Sequence, residues 1–384
     1  MGQNQIIHCI NYFGDKCACG WYRLGFPSNT LQTMIGGEYR FKCTDSEYVI
    51  TDANFYLTQG GIRLVRIQRW YGYDKLKILK EFLKPLSEKL GFSIAYEIDD
   101  VLLYDEIPAY NIAKPSFHPD RVGNTVKDIM DLCDIITVST EKLKEFYINH
   151  YNLPAEKFIV IPNYLPRWWI GDSFNLDRQM FQWKQQREIP RIAFACSVNH
   201  FDVSNNNNGI DDFSHLIPWI INNMNRYHFI FVGGVPLQLQ KYIPTNKISY
   251  QPPSDIFNYP REMQLRKIDL LVAPLQNNEF NKCKSNIKFL EFSALGIPMA
   301  GQNICTYNTC TKLVFNNGND LDGIIEKLFF KHDSEEYYRN IILEQRKIIE
   351  GDPQKSNTGY WLEKNISTYY NLYSIIPKTI SINL

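Results

Sequence analysis

The chain has 384 residues, 41 basic and 41 acidic side chains, 44% apolar residues and 14% aromatics. That composition excludes a disordered or fibrous chain, and the length fits about two domains of roughly 150 residues each. Zero net charge excludes a histone-like polycation, an acidic tail and a general membrane-surface binder, though not a local basic groove.

Residues 1–10 carry no basic leader and place polar side chains inside a short apolar stretch, so no signal peptide is expected. No apolar run nears the ~18 residues needed to cross a bilayer, which predicts a cytoplasmic protein without integral membrane contact. Residues 6–10 read as a strand, a polar loop with Gly20 follows, and 27–34 read as a helix. Short apolar runs at 48–50, 64–68, 93–98, 135–139 and 158–162 predict further strands. Between them, 73–90 places Leu76, Leu79, Leu83 and Leu86 on one helix face, and 140–147 reads as another helix. Strands alternating with helices of this length imply a parallel sheet covered on both faces.

Residues 166–190, with Trp168, Trp169 and Trp183, show no clean period and read as a linker. Beyond them, strands are predicted at 191–197, 227–233 and 268–273, and helices at 211–223, 256–267, 285–295, 319–330, 334–349 and 360–373. The asparagine run 205–208 reads as a loop tip, and Gly296 with Pro298 stops the 285–295 helix. The organisation expected is a first doubly wound domain at 1–165, a linker at 166–189, a second domain at 190–352 and a helical end at 353–384. Two such domains in series place a ligand in the cleft between them, beyond the carboxyl ends of their strands.

Nine scattered cysteines match no framework of a small secreted scaffold and imply a reducing compartment. Cys17 and Cys19, near His8 and Cys9, fit no common zinc spacing, and no metal site is expected. The most informative stretch runs from Asp269 to Pro298: a buried strand ending at Pro274, a polar loop, and Ser285 placed to cap the next helix. A capping box would put Glu or Gln where Lys288 stands, and Lys284 precedes the cap. Two cations at the positive end of a helix dipole are unfavourable by roughly 0.3–1 kcal/mol each. A phosphate is the natural compensating anion, since free amide groups at a helix start point at that spot. Lys284, Lys288 and Glu291 share one helix face beside the apolar stripe of Ile287, Leu290 and Ala294. The alternative is a solvated face with a Lys288–Glu291 ion pair of little worth.

The strand, the Lys-Ser loop and the helix Ile287-Lys-Phe-Leu-Glu-Phe-Ser-Ala-Leu-Gly-Ile-Pro298 resemble the donor-binding element of retaining glycosyltransferases of the GT-B fold, the GT4-like group. Cys133-Asp-Ile-Ile-Thr-Val-Ser-Thr-Glu141 and Phe158-Ile-Val-Ile-Pro-Asn163 are similar to that family's first-domain strand-to-helix step and end-of-domain strand. The resemblance implies an α/β GT-B architecture: an acceptor-side Rossmann-like domain, a nucleotide-sugar-binding one facing it across a cleft, and a C-terminal helix crossing back. It also implies an enzyme that moves a sugar from a nucleotide-diphosphate sugar, UDP-sugar first, to a hydroxyl acceptor with retention and without a metal.

On that resemblance Glu291 binds the ribose hydroxyls, and Lys284 and Lys288 become the diphosphate ligands with His200 as a helper. The family's second glutamate is replaced here by Cys283, so the sugar contact passes to Glu279 or to the loop from Asn281 to Ser285. Cys19-Gly-Trp-Tyr-Arg-Leu-Gly-Phe-Pro27 resembles the fold's first loop in place, with Gly20 letting backbone approach a ligand. Arg23 either faces the phosphate across the cleft or is a surface arginine packed on Tyr22. Asp99 and Asp100 end a strand as candidates for acceptor binding or proton transfer, or as a chance acidic strand end. Tyr22, His118, Arg167 and Trp168 are the remaining acceptor-side candidates, with His118 reading equally as structural.

The Asn-, Ile-, Lys- and Tyr-rich composition and the Cys-Gly-Trp-Tyr-Arg loop also resemble bacteriophage glycosyltransferases, some of which glycosylate hydroxymethylated pyrimidines in DNA. In that case the protein would work in the host cytoplasm, and Arg63, Arg66, Arg69, Arg167, Trp168 and Trp169 would line a nucleic-acid groove. The alternative packs the tryptophans between domains. A surface-glycan or small-molecule acceptor, a catalytically silent sugar-nucleotide binder and a sugar-nucleotide epimerase are the other readings. No oligomeric state follows from the sequence.

Overall fold

The computed structural model describes residues 7–35, 39–49, 51–52, 62–171, 174–203, 210–243, 247–355 and 357–374. Strand β1 (Ile7–Phe13) leads into α1, a continuous helix made of Ala18–Gly20, a π turn at Trp21–Gly25 and Phe26–Ile35. Next come β2 (Tyr39–Asp45), β3 (Ile62–Gln68), α2 (Tyr73–Ile78, a π turn Leu79–Leu83, then Lys84–Leu90) and β4 (Ser93–Ile98). Helix α3 (Thr125–Leu132), β5 (Ile135–Val138), α4 (Glu141–Tyr151) and β6 (Phe158–Val160) complete the first unit. Its six strands run parallel in the order β2-β1-β3-β4-β5-β6. Helices cover both faces of a parallel sheet, which is why the inner strands read as near-continuous apolar runs.

The second unit repeats the plan. After α5 (Arg167–Ile170) and α6 (Leu176–Gln186) come β7 (Arg191–Ala195), α7 (Ile217–Asn223), β8 (His228–Val232), β9 (Ile248–Gln251) and α8 (Tyr259–Leu265). Then follow β10 (Leu270–Ala273), α9 (Glu279–Lys282), α10 (Ile287–Ala294), β11 (Met299–Gln302), β12 (Val314–Phe315) and α11 (Ser334–Glu350). This sheet is also parallel, in the order β12-β11-β10-β7-β8-β9. The last helix, α12 (Ile366–Ser374), returns to the first unit. Leu165 N–H donates to the Tyr360 carbonyl at 2.9 Å, and the Tyr164 and Tyr369 rings meet edge-on at 6.2 Å.

Some expectations are corrected. Tyr48, expected in a strand, sits in the 3-10 turn Ser46–Tyr48, and the strand is β2 just before it. Its polar edge sequence Tyr-Arg-Phe-Lys-Cys-Thr-Asp lacks an apolar run, as edge strands do. The short β9, β11 and β12 were likewise not expected. The stretch 166–189 is largely helical rather than a bare linker, because Trp183 of α6 is fully buried and its indole donates to the Leu328 carbonyl at 3.0 Å. Asn205–208 lies outside the described residues.

The strand orders locate the site. In the first sheet the winding direction reverses between β1 and β3, in the second between β7 and β10. A crevice opens at such switch points beyond the carboxyl ends of the strands. Asp15 follows β1, Arg69 follows β3, Ser197 and His200 follow β7, and Pro274 and Leu275 follow β10. All line one cleft of about 540 Å³ between the two units.

Candidate active site

On the second-domain wall stand His200, Lys284, Ser285, Lys288 and Glu291. Asn286, not Ser285, precedes α10, and it offers no side-chain cap to a first turn that contains no acid. Ser285 instead accepts a hydrogen bond from Asn163 Nδ2 at 2.8 Å. Lys284 Nζ lies 4.6 Å from the centre of the Phe280 ring and 3.9 Å from Asp100 Oδ2 of the opposite wall. Lys288 Nζ is 3.4 Å from Glu291 Oε2, so the ion pair weighed above exists, but inside the cleft rather than on a solvated face.

Glu291 is 4% exposed and already well supplied with donors. Tyr22 donates to its Oε1 at 2.5 Å and Tyr259 to its Oε2 at 3.4 Å. Burial, then the Glu291 charge, pushes the Tyr22 phenol well above its ordinary value, so its hydroxyl stays protonated and remains the donor. Trp169 holds both tyrosines: its ring lies edge-on to Tyr22 at 5.6 Å and stacks on Tyr259 at 6.5 Å. Trp169 is therefore packed between the domains, with its indole donating to the Ile256 carbonyl at 2.7 Å.

Behind His200 lies Asp212, with no exposed surface. Its Oδ2 is 2.7 Å from His200 Nδ1, while Oδ1 accepts from Tyr110 Oη at 2.7 Å, Gln276 N–H at 2.7 Å and Asn281 Nδ2 at 2.9 Å. Burial works to raise the Asp212 pKa, but the hydrogen bond and charge of His200, with Gln276 and Tyr110, outweigh it and hold the carboxyl below its ordinary value. Asn281 is thus fully buried as a partner of Asp212 and does not line the cleft, where a contact to the donor sugar was expected of its loop.

The first-domain wall is organised by Arg69, which adopts a left-handed φ of 50°. Such strain is rare outside glycine and concentrates at functional sites. Its Nε donates to Asp99 Oδ1 at 2.5 Å, and its terminal nitrogens reach Asp15 at 3.5 Å, Asp100 at 3.8 Å and Cys19 Sγ at 3.3 Å. Burial would raise the Asp99 pKa, yet Arg69 overrides it and keeps the group ionised below the ordinary range. Asp99 is committed to that pair, while Asp100 is only loosely held, between Arg69 and Lys284.

Several candidates are not brought to the cleft. Arg23 is neither a phosphate ligand nor a surface residue: it is fully buried, with Nε on Glu97 Oε1 at 2.7 Å and a terminal nitrogen on the Ile161 carbonyl and Asn163 Oδ1. Gly20 lies within the start of α1, where a Cβ would sit 2.0 Å from the Asp15 carbonyl oxygen, so it serves the close turn after β1 rather than a ligand. Glu279 pairs with Lys282 on the outer surface, and Cys283 turns its sulfur toward the Lys142 carbonyl of α4 at 3.8 Å. Both line a separate surface groove. His118 caps the short helix Pro119–Val122 by accepting from Asp120 N–H. Arg167 pairs with Glu350 and lies over the Trp361 ring, and Trp168, 48% exposed, packs edge-on against Phe26 outside the cleft.

Tyr110 and Asp212 were missed, Asn163 entered only as the end of the first-domain strand motif, and Arg69 was noted only for a nucleic-acid groove. Arg69 had a signal, since it directly follows the predicted strand 64–68. Asp212 had none, because its partners come from four separate segments. Among the described residues no group of three His, Cys, Asp or Glu stands close enough to hold a metal, and no helix is long and apolar enough to cross a membrane.

Neither a protein-family model nor a curated protein sequence matches the chain. Solved structures do share its fold. HepE of Anabaena in complex with UDP and glucose is 11% identical, with a TM-score of 0.59 over 97% of this chain and 100% of that one. A glycosyltransferase of Rickettsia africae is 11% identical, with a TM-score of 0.57 over 98% and 100%. The E. coli trehalose-6-phosphate protein bound with UDP-2-fluoro glucose is 10% identical, with a TM-score of 0.55 over 97% and 100%. The architecture is the GT-B fold.

Proposed function

We propose that the cleft binds a nucleotide-diphosphate sugar and transfers its sugar to a hydroxyl acceptor. The observation that carries this reading is the grouping of Lys284, Lys288 and His200 with the buried carboxylate of Glu291 at the carboxyl ends of β7 and β10. A diphosphate would meet the two ammonium groups and the imidazole, and ribose hydroxyls would donate to Glu291. As the sugar departs, negative charge grows on the diphosphate, and cations already in place stabilise it without reorganisation. Retention rests on the resemblance of the 287–298 helix to the retaining family. UDP-sugars are the first donors to test, because HepE and the E. coli neighbour were solved with UDP and UDP-2-fluoro glucose.

For the acceptor, a glycan or small hydroxyl compound is favoured over DNA. The residues suggested for a nucleic-acid groove do not share one: Arg66 and Trp169 are buried, Arg69 is held by three aspartates, and Arg167 lies on the C-terminal segment. Asp15, Asp99 and Asp100 would also repel a phosphate backbone at the first-domain wall.

The test is a thermal-shift screen with UDP, GDP, ADP and CMP and their sugars, with Glu291→Ala as control. A ligand at about 100 times its dissociation constant adds roughly 2.7 kcal/mol to stability. One nucleotide should raise the melting temperature of the wild type and not of the variant. No shift with any of them would sink the reading.

A further inference from the structure

The link from Tyr110 through Asp212 to His200 crosses the cleft. Tyr110 sits in the segment between β4 and α3 of the first domain, whereas Asp212, Asn281 and His200 belong to the second. Its hydroxyl donates to Asp212 Oδ1 at 2.7 Å and accepts from Asn281 Nδ2 at 3.2 Å. On the other carboxylate oxygen, His200 Nδ1 stands at 2.7 Å. The imidazole lines the cleft, and its Nε2 has no hydrogen-bond partner among the described residues.

We propose that Asp212 and Tyr110 are positioning residues for diphosphate binding. Asp212 fixes the His200 ring so that Nε2 is presented to the phosphates, and Tyr110 makes that hold depend on the closed arrangement of the two domains. The inference rests on the reading that the cleft takes a nucleoside diphosphate.

The chemistry follows from the two ring nitrogens. A carboxylate on Nδ1 fixes the orientation of an imidazole and holds a proton on that nitrogen. A ring that carries protons on both nitrogens donates once to Asp212 and once to a phosphate oxygen. If the domains part, Asp212 Oδ1 loses the Tyr110 donor and keeps Gln276 N–H and Asn281 Nδ2, so the hold on the His200 ring loosens without being abolished. His200 then assists the diphosphate best when the first domain is in place.

The experiment measures binding of UDP, GDP and ADP, and of the matching nucleosides, to the full chain carrying Tyr110→Phe, Asp212→Asn, His200→Ala, or Tyr110→Phe with His200→Ala. Loss of one hydrogen bond to a charged group predicts a diphosphate affinity about tenfold weaker in His200→Ala. Tyr110→Phe should weaken the diphosphate several-fold, leave the nucleoside unchanged, and add nothing in the His200→Ala background. Asp212→Asn is expected to behave like His200→Ala if it folds, and Tyr110→Phe, which removes only an oxygen, keeps the test open if it does not. Equal weakening of nucleoside and diphosphate, additivity with His200→Ala, or no effect of Tyr110→Phe each overturns the proposal. A wild-type chain that binds no nucleoside diphosphate overturns the reading of the cleft itself, a different result from one that binds and ignores Tyr110.

Discussion

The hydroxyl of Tyr22 donates to Glu291 Oε1 at 2.5 Å, joining side chains 269 positions apart across the two domains. A carboxylate has about four lone-pair positions, and Tyr22, Tyr259 and Lys288 already direct donors at this one. A ribose that brings both hydroxyls to Glu291 therefore needs one position more than is open and competes with the donors already there, Tyr22 among them. Tyr22→Phe is expected to lower unfolding stability by about 1 kcal/mol, the net worth of a typical hydrogen bond, while raising UDP affinity several-fold. Calorimetric titration beside urea unfolding checks both, and weaker binding in the variant would mean that Tyr22 supports the ligand instead of excluding it.

Lys284 and Lys288 should act on the phosphates alone. Each to Ala is expected to reduce UDP affinity about tenfold, the scale of a charge-assisted contact, with uridine affinity unchanged. The wild-type UDP affinity should fall with added salt, and the slope should be shallower in either variant. A loss shared equally by uridine would place these lysines at the base or ribose, contrary to the proposed function.

The α/β alternation and the 285–298 element were legible because they depend on local pattern: apolar runs, one helical face, and a Gly-Pro stop. Lys284, Lys288 and Glu291 fell on one face for the same reason. Arg23 shows where such reasoning ends. Its neighbours suggested a loop next to a ligand, but its partners Glu97, Ile161 and Asn163 come from β4 and the segment after β6. No sequence period reports that meeting. Asp212 is invisible for the same cause, since burial by four separate segments is a property of topology.

Arg23 yields the contrasting prediction. Glu97 accepts from Arg23 Nε at 2.7 Å, Arg66 at 2.6 Å and Thr137, and the three charged side chains have no exposed surface. Removing Arg23 leaves Glu97 still paired with Arg66 but deletes the bonds to Glu97, the Ile161 carbonyl and Asn163, and hydrogen bonds to charged groups at about 1.5–3 kcal/mol each make the loss about 3–5 kcal/mol. Arg23→Ala should lower stability by that order in urea, with UDP affinity of the folded protein unchanged. A selective loss of UDP binding with normal stability would restore the phosphate role first expected for it.

Asp269 gives a pH dependence. It is buried at the start of β10, where Oδ1 accepts from Gln182 Nε2 and Oδ2 from the Arg191 N–H, both at 2.9 Å. Burial, only partly offset by Gln182 and Arg191, pushes its pKa from 3.8 up to about 7. Between those two values the native state binds more protons than the unfolded chain, so this group lowers stability as pH rises through the window. Below the unfolded value both states are protonated and the penalty is absent; above the folded value it is fully present. Asp269→Asn removes the titration while keeping an oxygen for the Arg191 N–H. Urea unfolding at about pH 4.5 and pH 7.5 should show wild-type stability falling relative to the variant across the interval. Depressed carboxyls such as Asp99 and Asp212 titrate below it and are common to both proteins, so parallel curves would mean that Asp269 is ionised in the native state throughout.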